Sequence, residues 1–235
     1  MSPPLAQIQI GERSGATCIA ENGFCPGWIA DNFDRYIGPF FEHLYLVVVS
    51  VSVGFAIAFA LALLAHRQRW LIGPISGVTQ VLYTVPSIAA FFLLQPITGR
   101  GNLTAIVALV AYTLLIFFRN ITTGLAGVSD DAKDAARGMG LTGTQMMWRI
   151  EIPLAMPEIL AGLRIATTTT VGLAALAFFA GGGGLGAQID ADIFFKSNVI
   201  VAGGLTVLMA AAFDLLILGF QRVALPWRRA QAAGA

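Results

Sequence analysis

Positions 44–65 form a run of 22 uncharged, mostly apolar residues, LYLVVVSVSVGFAIAFALALLA. As an α-helix this run is about 33 Å long, enough to cross a hydrocarbon core of about 30 Å. A signal peptide is not indicated, because 43 residues precede the run and no basic region opens the chain. We therefore expect the chain to fold in a lipid bilayer.

Four further apolar stretches, at about 74–95, 103–124, 157–180 and 199–221, bring the predicted transmembrane helices to five. Charged residues make up only 11% of the chain, whereas soluble domains contain roughly a quarter. The predicted fold class is an all-α, polytopic membrane protein. The net charge of +1 gives no indication of a nucleic-acid partner.

The distribution of Lys and Arg predicts the orientation of the chain. With the N-terminus outside, nine basic residues lie in inner segments and four in outer segments, with Arg164 inside a span. Residues 1–43 are then an acidic extracytoplasmic tail ending in an interfacial helix, 44–221 the transmembrane domain and 222–235 a cytoplasmic tail. We expect aromatic side chains of the first tail to lie among lipid headgroups: Trp28, Phe33, Tyr36, Phe40 and Phe41.

Both cysteines of the chain, Cys18 and Cys25, lie in the N-terminal tail. In an oxidising compartment a disulfide can close this short loop, and two unpaired thiols are the equal alternative. Neither His43 nor His66 has a spacing typical of metal ligands, so no metal site is predicted.

Two predicted spans contain residues that interrupt helices. Pro86 in the second span removes a backbone donor and should kink or break it, and a glycine run follows the fourth span at 181–184. Irregular backbone at membrane depth persists only where it packs on protein or lines a cavity, so close packing and a translocation path are both open. The path candidates are Tyr83, Pro86, Ser87, Thr168, Gly182, Gly183 and Asp214. For Asp214, attracting a cation, pairing with an arginine and lying near the interface are all open.

Residues 129–156, here called the charged segment, contrast with the apolar chain around them, since positions 130–158 carry eight charges. Ser129 is predicted to cap a first short helix, which Gly138 and Gly140 can end in the left-handed conformation. Thr142 and Gln145 fit a capping box that starts a second helix. Because a residue before proline avoids helical geometry, the second helix is expected to stop at Ile152.

The second helix displays large apolar side chains in a segment too short and too charged to cross a membrane. These side chains either pack on the protein's own spans or enter a groove on a soluble partner. The residues alone leave both readings open. They are Met146, Met147, Trp148 and Ile150.

The charged segment resembles the cytoplasmic "EAA" signature of permease subunits of ABC importers, E-A-A-x3-G-x9-I-x-L-P. The spacing is unbroken, with Asp in place of the Glu and Ile in place of the Leu. The matching residues are Asp134, Ala135, Ala136, Gly140, Ile150, Ile152 and Pro153. The chain over roughly 40–225 is also similar to permeases of the osmoprotectant group, through YTVPS at 83–87 and GGGLG at 182–186.

This resemblance implies a type I importer permease in a bacterial inner membrane, carrying glycine betaine, choline, carnitine or proline betaine. The seven matching residues and Met147 would dock on a cytoplasmic ABC ATPase dimer. A second permease copy or a similar permease, and an extracytoplasmic solute-binding protein, would complete the importer.

The resemblance also implies that this chain has no catalytic residues and binds no cofactor. ATP and Mg would lie on the ATPase, since the chain has no Walker-type phosphate-binding loop. A permease for amino acids or another small solute is the alternative. A secondary transporter or a membrane scaffold is less well supported by the residues.

Overall fold

A computed structural model describes residue 18 and residues 23–225, and every regular element in these residues is helical. Predictions for residues 1–17, 19–22 and 226–235, which include about half of the N-terminal tail and most of the C-terminal tail, lie outside the described residues. The helices are α1 Pro26–Asp31, α2 Ile37–Arg67, α3 Ile72–Thr84, α4 Ser87–Thr98, α5 Asn102–Ala126, α6 Asp130–Gly138, α7 Gly143–Met146, α8 Ile152–Ala174, α9 Leu185–Ala191 and α10 Lys196–Ala224.

Three stretches of the described chain are long and apolar enough to cross a membrane, and they contain the predicted spans 44–65, 103–124 and 199–221. These stretches are Phe33–Arg67, Asn102–Ala126 and Lys196–Ala224. The bent pair α3 and α4 adds a fourth if it counts as one span. Helix α8 falls outside this set, because Glu158, Arg164 and four threonines reduce its hydropathy, and it ends at Ala174 instead of reaching position 180.

Helix α8 lies at the centre of the bundle, where it packs against α5, α10 and α2. Small residues let these helices approach closely. A Cβ added at Gly54 of α2 would lie 1.9 Å from the Thr113 hydroxyl of α5, and one at Gly162 of α8 would lie 2.6 Å from the Asn120 Cβ. The backbones of α2 and α8 at these two glycines therefore lie directly against side chains of α5.

The chain bends by 100° between α3 and α4. Val85, just before Pro86, has φ −63° and ψ 128°, which takes its carbonyl out of the helical ladder. The Tyr112 hydroxyl of α5 donates to that carbonyl. Pro86 was expected either to kink or to break the second predicted span, and it breaks it.

The stretch that precedes α2 is fastened to the start of α10. Cys18 and Cys25 are joined by a disulfide. The Cys25 amide donates to the Ser197 hydroxyl at 2.8 Å, and the Tyr36 hydroxyl donates to Asn198 Oδ1 at 3.0 Å. Tyr36 is thus buried, and its predicted place among lipid headgroups is wrong, because Asn198 supplies a polar partner inside the protein.

Candidate functional site

The first turn of the charged segment is built from local bonds. The Ser129 hydroxyl accepts a hydrogen bond from the Ala132 amide at 3.4 Å, which confirms the predicted cap of α6. Arg137 donates to the Asp134 carboxylate at 2.5 Å, one turn apart on the exposed face. These bonds define the helix without help from the rest of the protein.

A glycine ends α6. Gly140 has φ +78°, and its amide donates to the Arg137 carbonyl at 2.9 Å, while the Leu141 amide donates to the Ala136 carbonyl at 3.2 Å. This pair of bonds is a Schellman motif, in which a left-handed residue turns the chain out of the helix. Gly138 does not adopt the left-handed conformation predicted for it, since it is the last residue of α6 and has no positive φ.

The start of the second helix also follows the prediction. Thr142 accepts a hydrogen bond from the Gln145 amide, and the Gln145 side chain accepts one from the Thr142 amide, so the capping box is complete. The predicted end of this helix is wrong. Ile152 has φ −62° and ψ −47°, and the chain continues from α7 through a wide π-turn, Met147–Glu151, directly into α8.

The π-turn explains how helical geometry survives at Pro153. A proline ring normally clashes with the carbonyl four residues earlier, here that of Arg149, which lies within the widened turn. From α7 through the π-turn into α8 the chain is therefore one continuous helical path.

The segment has an exposed face and a buried face. Asp134, Ala135 and Gly140 are exposed, as are Met139, at 67%, and Trp148, at 54%. Among the signature residues and Met147, the buried ones are Ala136, Met147 and Ile152, and the half-buried ones are Ile150 and Pro153. Met147 thus packs on the protein, and Trp148 presents much of its surface outward. Entry of these side chains into a groove on a soluble partner stays a prediction.

Sequence reasoning missed a close contact between this segment and α2. The Glu151 carboxylate is 3% exposed, and its Oε2 lies 2.9 Å from Nε2 of His66, in the last turn of α2. The available signal was a carboxylate between two isoleucines next to a turn, a position where burial requires a partner.

The candidate path residues fall into three groups. The first surrounds the break between α3 and α4. The Tyr83 ring stands edge-on to the Tyr112 ring, with centroids 5.9 Å apart, and is 38% exposed. Pro86 and Ser87 begin α4 beside it.

The second group is a clasp made by Glu42, Asn102, Gly183 and Gly184. Glu42 accepts hydrogen bonds from the Asn102 side chain at 3.0 Å and from the Gly184 amide at 3.2 Å. A Cβ at Gly183 would lie 2.0 Å from the Glu42 carboxylate, and one at Gly182 would lie 3.0 Å from Asn102 Oδ1. The glycine run therefore lets the loop after α8 close on the first turns of α2 and α5.

The third group lies on α8 and α10. Arg164 donates two hydrogen bonds of 2.8 Å to the Asp214 carboxylate. Thr168 donates to the Arg164 carbonyl at 2.9 Å. Of the three roles open to Asp214, the described chain shows pairing with an arginine.

Residues 50–229 match the model of the family described as binding-protein-dependent transport system inner membrane component. The glycine betaine/carnitine/choline transport system permease protein OpuCB of Bacillus subtilis is 35% identical over 79% of this chain and 86% of its own length. The osmoprotectant import permease protein OsmW of Salmonella typhimurium is 34% identical over 85% and 96%.

Solved structures show the same fold. An inward-facing MetNI methionine ABC transporter matches with a TM-score of 0.68 and 21% identity, over 78% of this chain and 95% of the matched chain. A chain of an amino acid ABC transporter matches with a TM-score of 0.69 and 20% identity, over 83% and 96%. At this identity the likeness concerns the fold alone.

Proposed function

The chain belongs to the family of binding-protein-dependent transport system inner membrane components, and from this membership we propose that its charged segment couples solute import to a separate ATPase. The chain is a multi-pass inner-membrane permease subunit of an ABC importer. Its solute is an osmoprotectant of the glycine betaine, carnitine or choline kind, because its relatives carry those names over most of their length. Amino-acid import and secondary transport have less support.

The observation that carries the coupling proposal is the shape of the charged segment. Its exposed face is shaped by the Schellman motif at Gly140 and the capping box at Thr142, and from α7 onward the chain continues into α8 as helix. A partner that binds this face differently in two states can therefore bias the position of α8. The coupling residues are of two kinds: Asp134, Ala135, Gly140, Ile150 and Pro153 are at least partly exposed for docking, and Ala136, Met147 and Ile152 are buried and hold the segment on the protein.

In this proposal the charged segment faces the cytoplasm, and the clasp faces the outside. ATP and Mg bind to the ATPase dimer, a solute-binding protein delivers the osmoprotectant from outside, and a second permease completes the path. This chain supplies no catalytic group. Its contribution is to convert closure of the ATPase dimer into movement of its helices.

The test uses the reconstituted complex of permease, ATPase and solute-binding protein. ATPase activity is measured with glycine betaine, carnitine, choline and proline betaine, and with amino acids as the comparison set. Stimulation by an osmoprotectant supports the proposal, and stimulation by amino acids alone contradicts the solute class.

Copurification tests the docking surface separately. Deletion of 134–153 should abolish binding of the ATPase, and so should Asp134→Lys, which reverses an exposed charge within the signature. Asp190→Lys makes the same change of charge on α9, which follows the glycine run, and should leave binding intact. Equal binding by the two charge variants would remove the docking role of Asp134.

A further inference from the structure

We propose that the close polar contact between His66 and Glu151 is a second mechanical link, through which the docked charged segment moves α2 as well as α8. This inference rests on the proposed coupling to an ATPase. It makes His66 and Glu151 positioning residues that act through the helices they join.

The link joins two elements that are distant along the chain. The charged segment is covalently continuous with α5 before it and α8 after it, whereas α2 ends at Arg67, more than sixty residues earlier. Any pull of the segment on α2 must therefore pass through side chains. The His66–Glu151 contact of 2.9 Å provides such a connection at the very end of α2.

A second contact joins the same two faces. The Phe59 and Trp148 rings have centroids 6.3 Å apart. Phe59 and His66 are seven residues apart, which places them on one face of α2 about two turns apart. Trp148 and Glu151 both belong to the π-turn. The π-turn therefore meets α2 at two places, through the aromatic contact and through the contact between His66 and Glu151.

His66 lines two clefts. A cleft of about 360 Å³ is lined by His66, Arg67, Met147, Glu151 and the start of α7. A second cleft, of about 300 Å³, is lined by His66, Arg69, Lys133 and the end of α5. The contact between His66 and Glu151 therefore joins α2 to the charged segment beside open space.

Burial makes this bridge stiff. Glu151 is nearly inaccessible to water, and its Oε2 lies 2.9 Å from Nε2 of His66. Separating a buried polar group from its polar neighbour costs free energy, so the two groups should move together. Movement of the π-turn is therefore transmitted to the end of α2.

The experiment uses the complete importer in proteoliposomes and measures solute taken up per ATP hydrolysed. Glu151→Gln and His66→Gln should each lower this ratio by about fivefold to tenfold, the usual size of an energetic coupling between sites. ATPase copurification and basal ATP hydrolysis should stay within about twofold of wild type, since the exposed docking face is unchanged. Glu158→Gln, an exposed glutamate of α8, is the matched control and should have no effect.

Two further variants separate the link from a general loss of structure. The double variant His66→Gln with Glu151→Gln should lose no more than either single change, as expected when both residues serve one contact. The exchanged pair, His66→Glu with Glu151→His, should recover most of the ratio.

Three results would overturn the link: an unchanged ratio in the single variants, additive losses in the double variant, or loss of ATPase binding along with the ratio. A wild-type complex that shows no solute-stimulated ATP hydrolysis would instead overturn the proposed function, and the link with it.

Discussion

Arg164 of α8 and Asp214 of α10 face each other through two parallel hydrogen bonds of 2.8 Å. Such a bidentate pair fixes orientation as well as distance. Both residues belong to helices of the bundle, where an unpaired charge is costly. The pair therefore sets the angle at which the last helix meets the central one.

Asp214→Asn should lower the apparent Tm of the detergent-solubilised protein, because it leaves Arg164 without its anionic partner. The exchanged pair, Arg164→Asp with Asp214→Arg, should restore most of the loss. Thermal unfolding followed by size-exclusion chromatography measures both. If Asp214→Asn keeps its Tm but loses transport, Asp214 serves the path and not the bundle.

Substitutions at Gly140 should impair coupling more strongly the less readily the new residue adopts a positive φ. The left-handed conformation costs an L-residue about 1–2 kcal/mol, and a β-branched side chain suffers most. Gly140→Val should thus abolish ATP-driven uptake with membrane insertion intact, and Gly140→Asn should retain part of it. An added Cβ meets nothing within 4 Å there, so backbone strain and not a clash is the cause.

The control for this series is Gly138→Ala. Gly138 also has free space around an added Cβ, but its backbone is helical. Uptake at the wild-type level is expected. Normal uptake by Gly140→Val would remove the proposed role of the turn.

Loss of the Tyr112 hydroxyl should destabilise the break between α3 and α4. Tyr112→Phe leaves the Val85 carbonyl without its partner, at a cost of about 1–3 kcal/mol for a buried polar group. A fall of roughly 2–4 °C in Tm per kcal/mol is expected for a chain of this size. Tyr83→Phe makes the same chemical change in the neighbouring ring and serves as the control. An equal fall in both would show that the hydrogen bond is not responsible.

Two glycine-to-alanine changes should have opposite signs. A Cβ at Gly186 would lie 1.7 Å from the Ala175 carbonyl oxygen, a backbone atom that cannot rotate away. Gly186→Ala should therefore cost about 1–3 kcal/mol or more and reduce the yield of folded protein. Gly203, within α10, has nothing within 4 Å, and Gly203→Ala should be neutral or stabilising by up to about 1 kcal/mol. Folded yield and Tm measure both variants.

Local features were predictable from the sequence, because their partners lie within a few residues. The cap at Ser129, the capping box at Thr142 and Gln145, and the left-handed turn at Gly140 each depend on bonds across three to five residues. The three clearest transmembrane helices were predictable in the same way, because each apolar run, as a helix, is longer than the bilayer is thick.

Long-range partners were not predictable from one sequence. His66 and Glu151 are 85 residues apart, and no periodic pattern pairs them. For Asp214, pairing with an arginine was one of three open roles, and the sequence did not single out Arg164. The prediction that the second helix stops at Ile152, before Pro153, was wrong for a related reason. The π-turn that removes the proline clash depends on the whole path from α7 into α8.

The bond from the Cys25 amide to the Ser197 hydroxyl spans 172 residues. Cys25 is synthesised before α2, and Ser197 only after α8 and α9. The stretch before α2 must therefore wait, already across the membrane in the proposed orientation, until α10 is made. A chain that stops before α10 cannot form this contact.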